Sequence, residues 1–171
     1  MATLQSNDFE LFELPEQFAQ ARSEIDERWK QLQREAHPDK FASQGAAAQR
    51  LAMQWSVRIN EAYARLKDAQ KRAAYLCELR GAPIAAQTNT AMPGEFLMQQ
   101  MQWREELDEA TDLSALERVA EQASHFERDT LARIEHSLDQ DNDPASAAAA
   151  VRMLMFVDKF LNEVHARMDA H

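Results

Sequence analysis

The amino-acid sequence predicts an all-α protein. Glycine and proline, which interrupt helices, account for only three and five of the 171 residues. The rest of the chain is rich in Ala, Gln, Glu, Arg and Leu, which favour helices, and its apolar residues recur at three- and four-residue intervals. A chain of this length can bury one medium core or two small ones.

The amino-terminal part begins with a short turn followed by a long helix. Apolar residues from Phe9 to Leu14 precede Pro15 and predict a brief opening turn, because the residue before a proline is pushed away from helical backbone. A long amphipathic helix is predicted from Pro15 to Ala36 on the spacing of its apolar residues. Its apolar stripe consists of Ile25, Trp29, Leu32 and Ala36.

A turn separates this helix from a second long one. Pro38 ends the first helix, since its ring disfavours helical geometry at His37 and it has no backbone N–H to donate. Asp39 suits the turn because its side chain can bond the nearby backbone. After Gly45, the second helix carries a stripe of Leu51, Trp55, Ile59, Ala62, Tyr63 and Leu66. The two stripes predict an antiparallel hairpin that exposes residues 37–39 at its tip.

Turn-forming residues predict a boundary between two domains. A shorter helix over residues 70–79 ends at Gly81 and Pro83, and the helical apolar rhythm is then lost up to Gly94. We therefore expect an amino-terminal domain over residues 1–80, a linker over 81–94 and a carboxyl-terminal domain over 95–171.

The carboxyl-terminal domain is predicted to be a three-helix bundle. Its first helix begins near Pro93 or Glu95 and continues to about Ala110. The second begins near Thr111 or Asp112, either of which can cap it, and runs to about Gln140. The last begins at Asp143-Pro144, an N-cap followed by a first-turn proline.

The outer two bundle helices carry more apolar residues than one core stripe needs. On the first, core spacing joins Phe96, Trp103, Leu107 and Ala110. A second strip of that helix holds Leu97, Met101, Glu105 and Glu109, with Met98 beside it. On the last helix one seam contains Leu154, Val157, Leu161, Val164 and Met168, and another contains Met153, Phe156 and Phe160. The surplus predicts either a wide core, a contact between domains, or an adaptable surface for a protein partner.

Charge and cysteine content exclude several functional classes. A formal net charge of -10 argues against a nucleic-acid partner, which is usually bound by a basic patch. Cys77 is the single cysteine, so a disulfide framework within the chain and a cysteine-based metal cage are excluded. No apolar run reaches the length of a membrane span, and the amino terminus lacks the features of a secretory signal. We expect a cytoplasmic protein with no membrane partner.

An enzyme is the rival class to a binding protein. His37 with Asp39, or His125, His136 or His165 with nearby acids, could be proposed as a metal or acid–base site. No pair of histidines has the i, i+4 spacing of a helical metal site. We therefore expect no catalytic residue, no metal and no cofactor, and a metal-dependent enzyme is the less favoured alternative.

The turn and the second arm of the hairpin resemble the J-domain, the module by which co-chaperones engage a DnaK-like ATPase chaperone. The resemblance covers about residues 9–79 and rests on HPDKF, INEAYARLKD and KRAAYLCEL. The other interpretation of His37-Pro38-Asp39 is a plain helix stop followed by a turn.

The whole chain resembles a narrower family, the iron–sulfur cluster co-chaperones of the HscB type. In order along the chain, the matching segments are HPDKFAS, INEAYARL, RAAYL and FLMQQMQWREELDEA. Members of that family join a J-domain to a three-helix bundle that binds the IscU-type cluster scaffold. The sequence has no Gly/Phe-rich linker, no repeated CxxC zinc module and no cysteine-rich element at its amino terminus, which favours the compact bacterial type.

The resemblance implies two sets of site residues. One set is expected to contact an HscA-type chaperone and to promote its ATP hydrolysis: His37, Pro38, Asp39, Lys40, Arg28, Lys30 and Arg34. The basic members can also be interpreted as a solvated helix face. The second set falls on positions that contact the scaffold: Leu97, Met98, Met101, Glu105, Glu109 and Phe156. Gln102 stands where the family often has an acid. The alternative function is a general J-domain co-chaperone that delivers unfolded clients.

Overall fold

The computed structural model describes residues 2–85 and 91–171 and confirms the all-α fold. Across those two ranges the chain forms α-helices with short 3₁₀ and π segments, and they contain no strand. The chain divides into two compact units, Met1–Leu76 and Cys77–His171. The predicted linker over 81–94 includes residues 86–90, which lie outside the described residues, so its assignment stays a prediction.

The first unit begins with a short helix and continues into a helical hairpin. Helix α1 spans Asp8–Leu11, which confirms the opening turn, and α2 spans Arg22–Ala36. A 3₁₀ helix over Pro38–Gln44 leads into α3, Ala46–Lys67. Helix α4, Ala69–Leu79, begins in this unit, and its last residues and the turn at Gly81, which has a φ of 83°, belong to the second unit.

The predicted start of α2 at Pro15 was wrong, because side chains bond the backbone there before the helix begins. The Gln20 amide donates to the carbonyl oxygens of Pro15 at 2.8 Å and of Gln17 at 2.9 Å. Phe18 is buried, and its carbonyl oxygen accepts from Arg72 Nε at 2.7 Å. These bonds give residues 15–21 an alternative to helical hydrogen bonding.

Helices α2 and α3 run antiparallel, as predicted, and a polar seam fixes their register. Tyr63 Oη donates to Asp26 at 2.7 Å, and Trp29 Nε1 donates to Asn60 at 3.0 Å. Ser56 Oγ donates to the Gln33 side chain at 3.0 Å. The partner numbers fall on α3 as they rise on α2, which defines an antiparallel pair.

The opposite side of the hairpin is apolar and partly open. Ile59, Ala62 and Leu66 of the predicted α3 stripe are buried. Leu51, at the start of the same stripe, is 49 % exposed and lies in an apolar groove with Leu32. Phe41 of the 3₁₀ helix and Leu11 of α1 also line this groove, and together they leave part of Leu51 open to solvent.

A buried ion cluster ties α1 to the hairpin. The Asp8 side chain is fully buried and accepts from Arg65 Nε at 2.6 Å and from Arg65 Nη2 at 2.8 Å. Arg58 Nη1 lies 2.8 Å from the same carboxylate, but its N–H is not aligned for a hydrogen bond, so this contact is Coulombic. Tyr75 Oη accepts from the Asp8 backbone N–H at 3.0 Å. Removing one partner of such a cluster would leave buried charge unpaired, typically at about 3–5 kcal/mol.

The second unit contains the predicted three-helix bundle. Helix α5 spans Gly94–Glu109, α6 spans Leu113–Glu135, and α7 spans Pro144–Asp169. Asp112 rather than Thr111 caps α6, accepting from the Ala115 N–H at 2.8 Å. Asp143 caps α7 as predicted, and its hydrogen bonds from Ser146 lower the pKa of its carboxyl group. The predicted end of α6 near Gln140 is a π-helical turn, His136–Gln140.

Aromatic residues and one seam of α7 form the core of the bundle. Phe126 lies between Phe96 and Trp103, with ring centroids 5.3 and 5.4 Å away. The predicted α5 core residues are buried, as are Leu154, Val157, Leu161 and Val164 of α7. Met153 is also buried, so the second α7 seam is only partly a surface. No helix within residues 2–85 and 91–171 is long and apolar enough to cross a membrane.

Candidate functional site

The hairpin tip, residues His37–Lys40, is closed by a histidine side chain. His37 has extended backbone (φ -61°, ψ 129°), which ends α2, and Pro38 starts the 3₁₀ helix. His37 Nδ1 accepts from the Asp39 N–H at 3.1 Å, and the Lys40 N–H donates to the His37 carbonyl oxygen at 3.0 Å. The expectation that the Asp39 side chain stabilises the turn was therefore wrong, because the imidazole of His37 takes that role.

The Asp39 carboxylate points into solvent. Its side chain is 93 % exposed, and one of its carboxylate oxygens lies 3.7 Å from His37 Nδ1. Since that nitrogen accepts the Asp39 N–H, a neutral His37 carries its proton on Nε2 and cannot donate to the carboxylate. The tip thus presents an exposed carboxylate on a turn whose shape is fixed by other groups.

The predicted basic residues lie on two different sides of α2. Lys30 and Arg34 are exposed and one turn apart, so they share the outer face, and Lys40 is exposed on the tip. Arg28 is about 200° around the helix from Lys30, and its Nη1 donates to Glu13 at 3.3 Å. The structure therefore brings Lys30 and Arg34 together and separates Arg28 from them.

The second candidate site is an apolar patch on the bundle, defined by exposed side chains of α5 and α7. Its exposed fractions are 47 % for Leu97, 72 % for Met98, 71 % for Met101 and 43 % for Phe156. A groove of about 1040 Å³ between α5 and α7, here called the bundle groove, is lined by five of the six residues proposed for the scaffold: Leu97, Met101, Glu105, Glu109 and Phe156. Met98 lies in an adjacent shallow depression with Met101 and Glu105.

The bundle groove is also lined by residues that are not among the six expected to bind the scaffold. Arg104 and Asp108 line it from α5, and Lys159, Phe160 and Glu163 line it from α7. Phe160 had been placed on the second α7 seam by its spacing from Phe156. The ion pair between Arg104 and Glu163 joins α5 to α7 and leaves no signal in the sequence. Gln102 is exposed beside the patch, and its amide donates to Glu106 at 3.2 Å.

The rival interpretation, a metal or acid–base site, concerns the histidines, their acidic neighbours and Cys77. They contain no cluster of three or more His, Cys, Asp or Glu side chains able to hold a metal ion. His125 and His136 each lie near one aspartate, at 3.3 and 3.4 Å, and both pairs are exposed. Burial raises the pKa of the Cys77 thiol to about 11, so this side chain is a poor nucleophile at neutral pH.

Comparison with known proteins gives one matching family model and two similar proteins, and all three carry the name HscB. Residues 92–165 match the family model of the HSCB C-terminal oligomerisation domain. The chain is 44 % identical to the co-chaperone protein HscB homolog of Burkholderia multivorans and 43 % identical to that of Burkholderia cenocepacia. Both alignments cover 99 % of this chain and 98 % of the relative.

Two solved structures agree with this. The chaperone HscB from Vibrio cholerae has a TM-score of 0.82 at 35 % identity, covering 96 % of this chain and 99 % of that one. The human co-chaperone protein HscB has a TM-score of 0.89 over 97 % of this chain and 84 % of its own, and at 22 % identity it supports the fold alone. These relatives are named as co-chaperones or, for the Vibrio cholerae protein, as a chaperone, and none as an enzyme, in agreement with the expectation of no intrinsic catalysis. Because the similarity extends over the full length, the chain belongs to the HscB family of co-chaperones.

Proposed function

We propose that this protein is a cytoplasmic co-chaperone of iron–sulfur cluster assembly with two working surfaces. The hairpin tip stimulates ATP hydrolysis by an HscA-type, DnaK-like chaperone, and the bundle groove binds the IscU-type cluster scaffold. The observation that carries the proposal is that both sets of expected site residues include exposed side chains: Asp39 at the tip, and Leu97, Met98, Met101 and Phe156 on the bundle.

At the tip, Asp39 is the residue that contacts the chaperone most directly. Its exposed carboxylate can accept a charge-assisted hydrogen bond from an arginine of the partner. His37 and Pro38 contribute by fixing the turn, so little ordering is needed on binding. Lys30, Arg34 and Lys40 supply positive charge around the tip and raise the rate of encounter with an acidic partner.

Arg28 has a different local role from the other basic residues. Its guanidinium is half-buried and pairs with Glu13, which lies in the loop after α1. Glu13 is held at a φ of 52°, a conformation that L-residues seldom adopt. Arg28 therefore supports that loop, and its contribution to chaperone binding is expected to be smaller than that of Arg34.

The first prediction concerns Asp39→Asn. The fold should be unchanged, because the carboxylate has no partner that the amide would lose. Loss of a charged hydrogen bond removes about 1.5–3 kcal/mol of interaction, so stimulation should fall by at least about tenfold. Single-turnover ATP hydrolysis by the chaperone measures this. Glu61→Gln, an exposed acid on the outer face of α3, is the control and should stimulate fully. Equal stimulation by both variants would show that the Asp39 carboxylate takes no part in stimulating the chaperone.

On the bundle, the apolar patch is the centre of scaffold binding. Exposed methionines form adaptable contacts, and an exposed cluster of this kind on an otherwise packed bundle marks an interaction surface. Glu105 and Glu109 stand at its edge, where carboxylates contribute specificity and rate more than affinity.

The second prediction concerns replacement of Leu97, Met101 and Phe156 together by Ala. Affinity for the scaffold should weaken by several kcal/mol, on the order of 3 or more, because clustered apolar anchors are lost. Thermal unfolding should change little, since these side chains are exposed; core truncations would cost about 2–5 kcal/mol each. Calorimetric titration and melting of the same sample test both statements. The control replaces Leu113 and Met155, exposed apolar residues that do not line the groove, and should bind normally.

A general folding co-chaperone is the competing function. In that case the bundle groove would hold unfolded clients, and a denatured model protein would displace the folded scaffold. We expect no displacement at equal concentrations. Displacement would show that the groove binds unfolded clients rather than the scaffold. The proposed role of the tip would be unaffected.

A further inference from the structure

The bundle groove extends past the apolar patch into an aromatic layer. The ring of Phe160 lies nearly parallel to that of Trp103, at 19° and a centroid distance of 5.7 Å. The guanidinium carbon of Arg104 lies 5.4 Å from the centre of the Phe160 ring, and the same group pairs with Glu163. Trp103 is buried, whereas Phe160 is partly exposed and lines the groove. Aromatic and arginine side chains are the types enriched at the centres of protein interfaces.

The rim of the groove is acidic where α5 ends. Glu105, Asp108 and Glu109 are exposed there, and none of the three has an ion-pair partner in the described part of the chain. Helix α5 has no basic residue in its own last turn, and Arg167 of α7 serves its negative end by donating to the carbonyl oxygens of Leu107 and Ala110. The cations of the groove lining are Arg104 and Lys159, and Arg104 is already paired. Arg167 bonds backbone carbonyl oxygens rather than the rim carboxylates, so these acids stay without an ion-pair partner among the described residues.

This acidity favours a heterologous partner over a second copy of the chain. Two copies meeting at this groove would bring the same carboxylates together, and like charges repel across an interface. A basic partner would instead pair with the carboxylates. An apolar groove next to unpaired acids fits a segment that is both apolar and basic.

We infer that the bundle groove receives from the scaffold an apolar side chain flanked by a lysine or arginine, an inference that rests on the proposed function. The apolar side chain packs against Phe160 and Met101. The neighbouring base pairs with Asp108 and Glu105 on the rim. Asp108 and Phe160 are thus binding residues outside the family motif, and they select the sequence of the bound segment.

The main test is Asp108→Lys in the full chain, titrated with the purified, cluster-free IscU-type scaffold. Affinity should fall about tenfold at about 50 mM salt and much less at about 500 mM, since screening weakens exposed charge pairs. The melting temperature should change little, because the Asp108 side chain is exposed on the surface of α5. Asp158→Lys is the matched control: it is exposed on α7, lies outside the groove lining, and should bind within about twofold. Unchanged affinity of Asp108→Lys would overturn the inference.

A second variant tests the aromatic layer. Phe160→Leu keeps an apolar side chain of similar size but removes the ring, so binding should weaken about fivefold while the bundle stays folded.

Phe156→Ala in the same series tests the proposed function itself. If Phe156→Ala weakens binding and both Asp108→Lys and Phe160→Leu do not, the groove inference fails and the scaffold site stands. If all three bind normally, the scaffold site fails as well. Self-association of the unmodified protein that Phe160→Leu abolishes would assign the groove to a second copy and also overturn the inference.

Discussion

Cys77 illustrates how burial controls side-chain chemistry in this protein. Its side chain is fully buried, and this desolvation raises the pKa of the thiol from 9.0 to about 11. Arg80 and Arg152 act in the opposite direction by favouring the thiolate. Burial prevails, so the native thiol stays protonated at neutral pH, and the single cysteine of the sequence is a packing residue.

A thiol-labelling experiment follows from this burial. At about pH 8 the native protein should react with a disulfide reagent only as fast as it opens, whereas the denatured chain should react at once. Because the folded thiol holds its proton and the unfolded one releases it, stability should fall as pH rises from 9 toward 11 and be unaffected by Cys77 below that range. Cys77→Ala should remove this alkaline loss. Rapid stoichiometric labelling of protein with an intact circular dichroism spectrum would contradict the burial.

At the scale of helices, the boundaries set by local chemistry were the ones that the sequence could predict. Pro38 ends α2, Gly81 follows α4, and Asp143 caps α7, because each effect acts within a few residues of the chain. The start of α2 was missed for the converse reason. Besides the local bonds of Gln20, residues 15–21 are held by the carbonyl of Phe18 bonded to Arg72, a contact across more than fifty positions.

The candidate sites divide in the same way. Helical periodicity was enough to separate the buried Trp103 side of α5 from its exposed Met101 side. Asp108, Phe160 and Glu163 could not be assembled into the groove in advance, because their proximity depends on how α5 packs against α7. The role of His37 in closing the tip was also missed, since either His37 or Asp39 could have capped that turn. The assignment of the hairpin tip to a chaperone and of the bundle groove to a scaffold remains a prediction.

At the scale of the whole molecule, the second unit begins before the region matched by the family model. That match starts at residue 92, whereas the compact unit starts at Cys77. Arg152 Nη1 donates to the Ile84 carbonyl oxygen at 2.9 Å, and Arg80 Nη1 donates to the Leu138 carbonyl oxygen at 2.6 Å. Ile84 is buried as well. Residues 77–85 therefore belong to the packing of the bundle rather than only connecting it.

This extension predicts a difference between two fragments, residues 77–171 and 92–171. Both should be helical, but the shorter one loses the buried Ile84 side chain and leaves Arg152 without the Ile84 carbonyl as acceptor. Burying an isoleucine stabilises a fold by about 1.5–3 kcal/mol, and an unpaired buried donor costs about 1–3 kcal/mol. Some relaxation offsets these terms, so the shorter fragment should be less stable by about 2–4 kcal/mol.

Urea unfolding of the two fragments, followed by circular dichroism, measures this difference. The 77–171 fragment carrying Ile84→Ala is an intermediate control, because it keeps the backbone acceptor for Arg152 and loses only the apolar side chain. Its stability should lie between those of the two fragments. Equal unfolding midpoints for all three would mean that residues 77–85 contribute nothing to the bundle, and the second unit would then begin where the family match does.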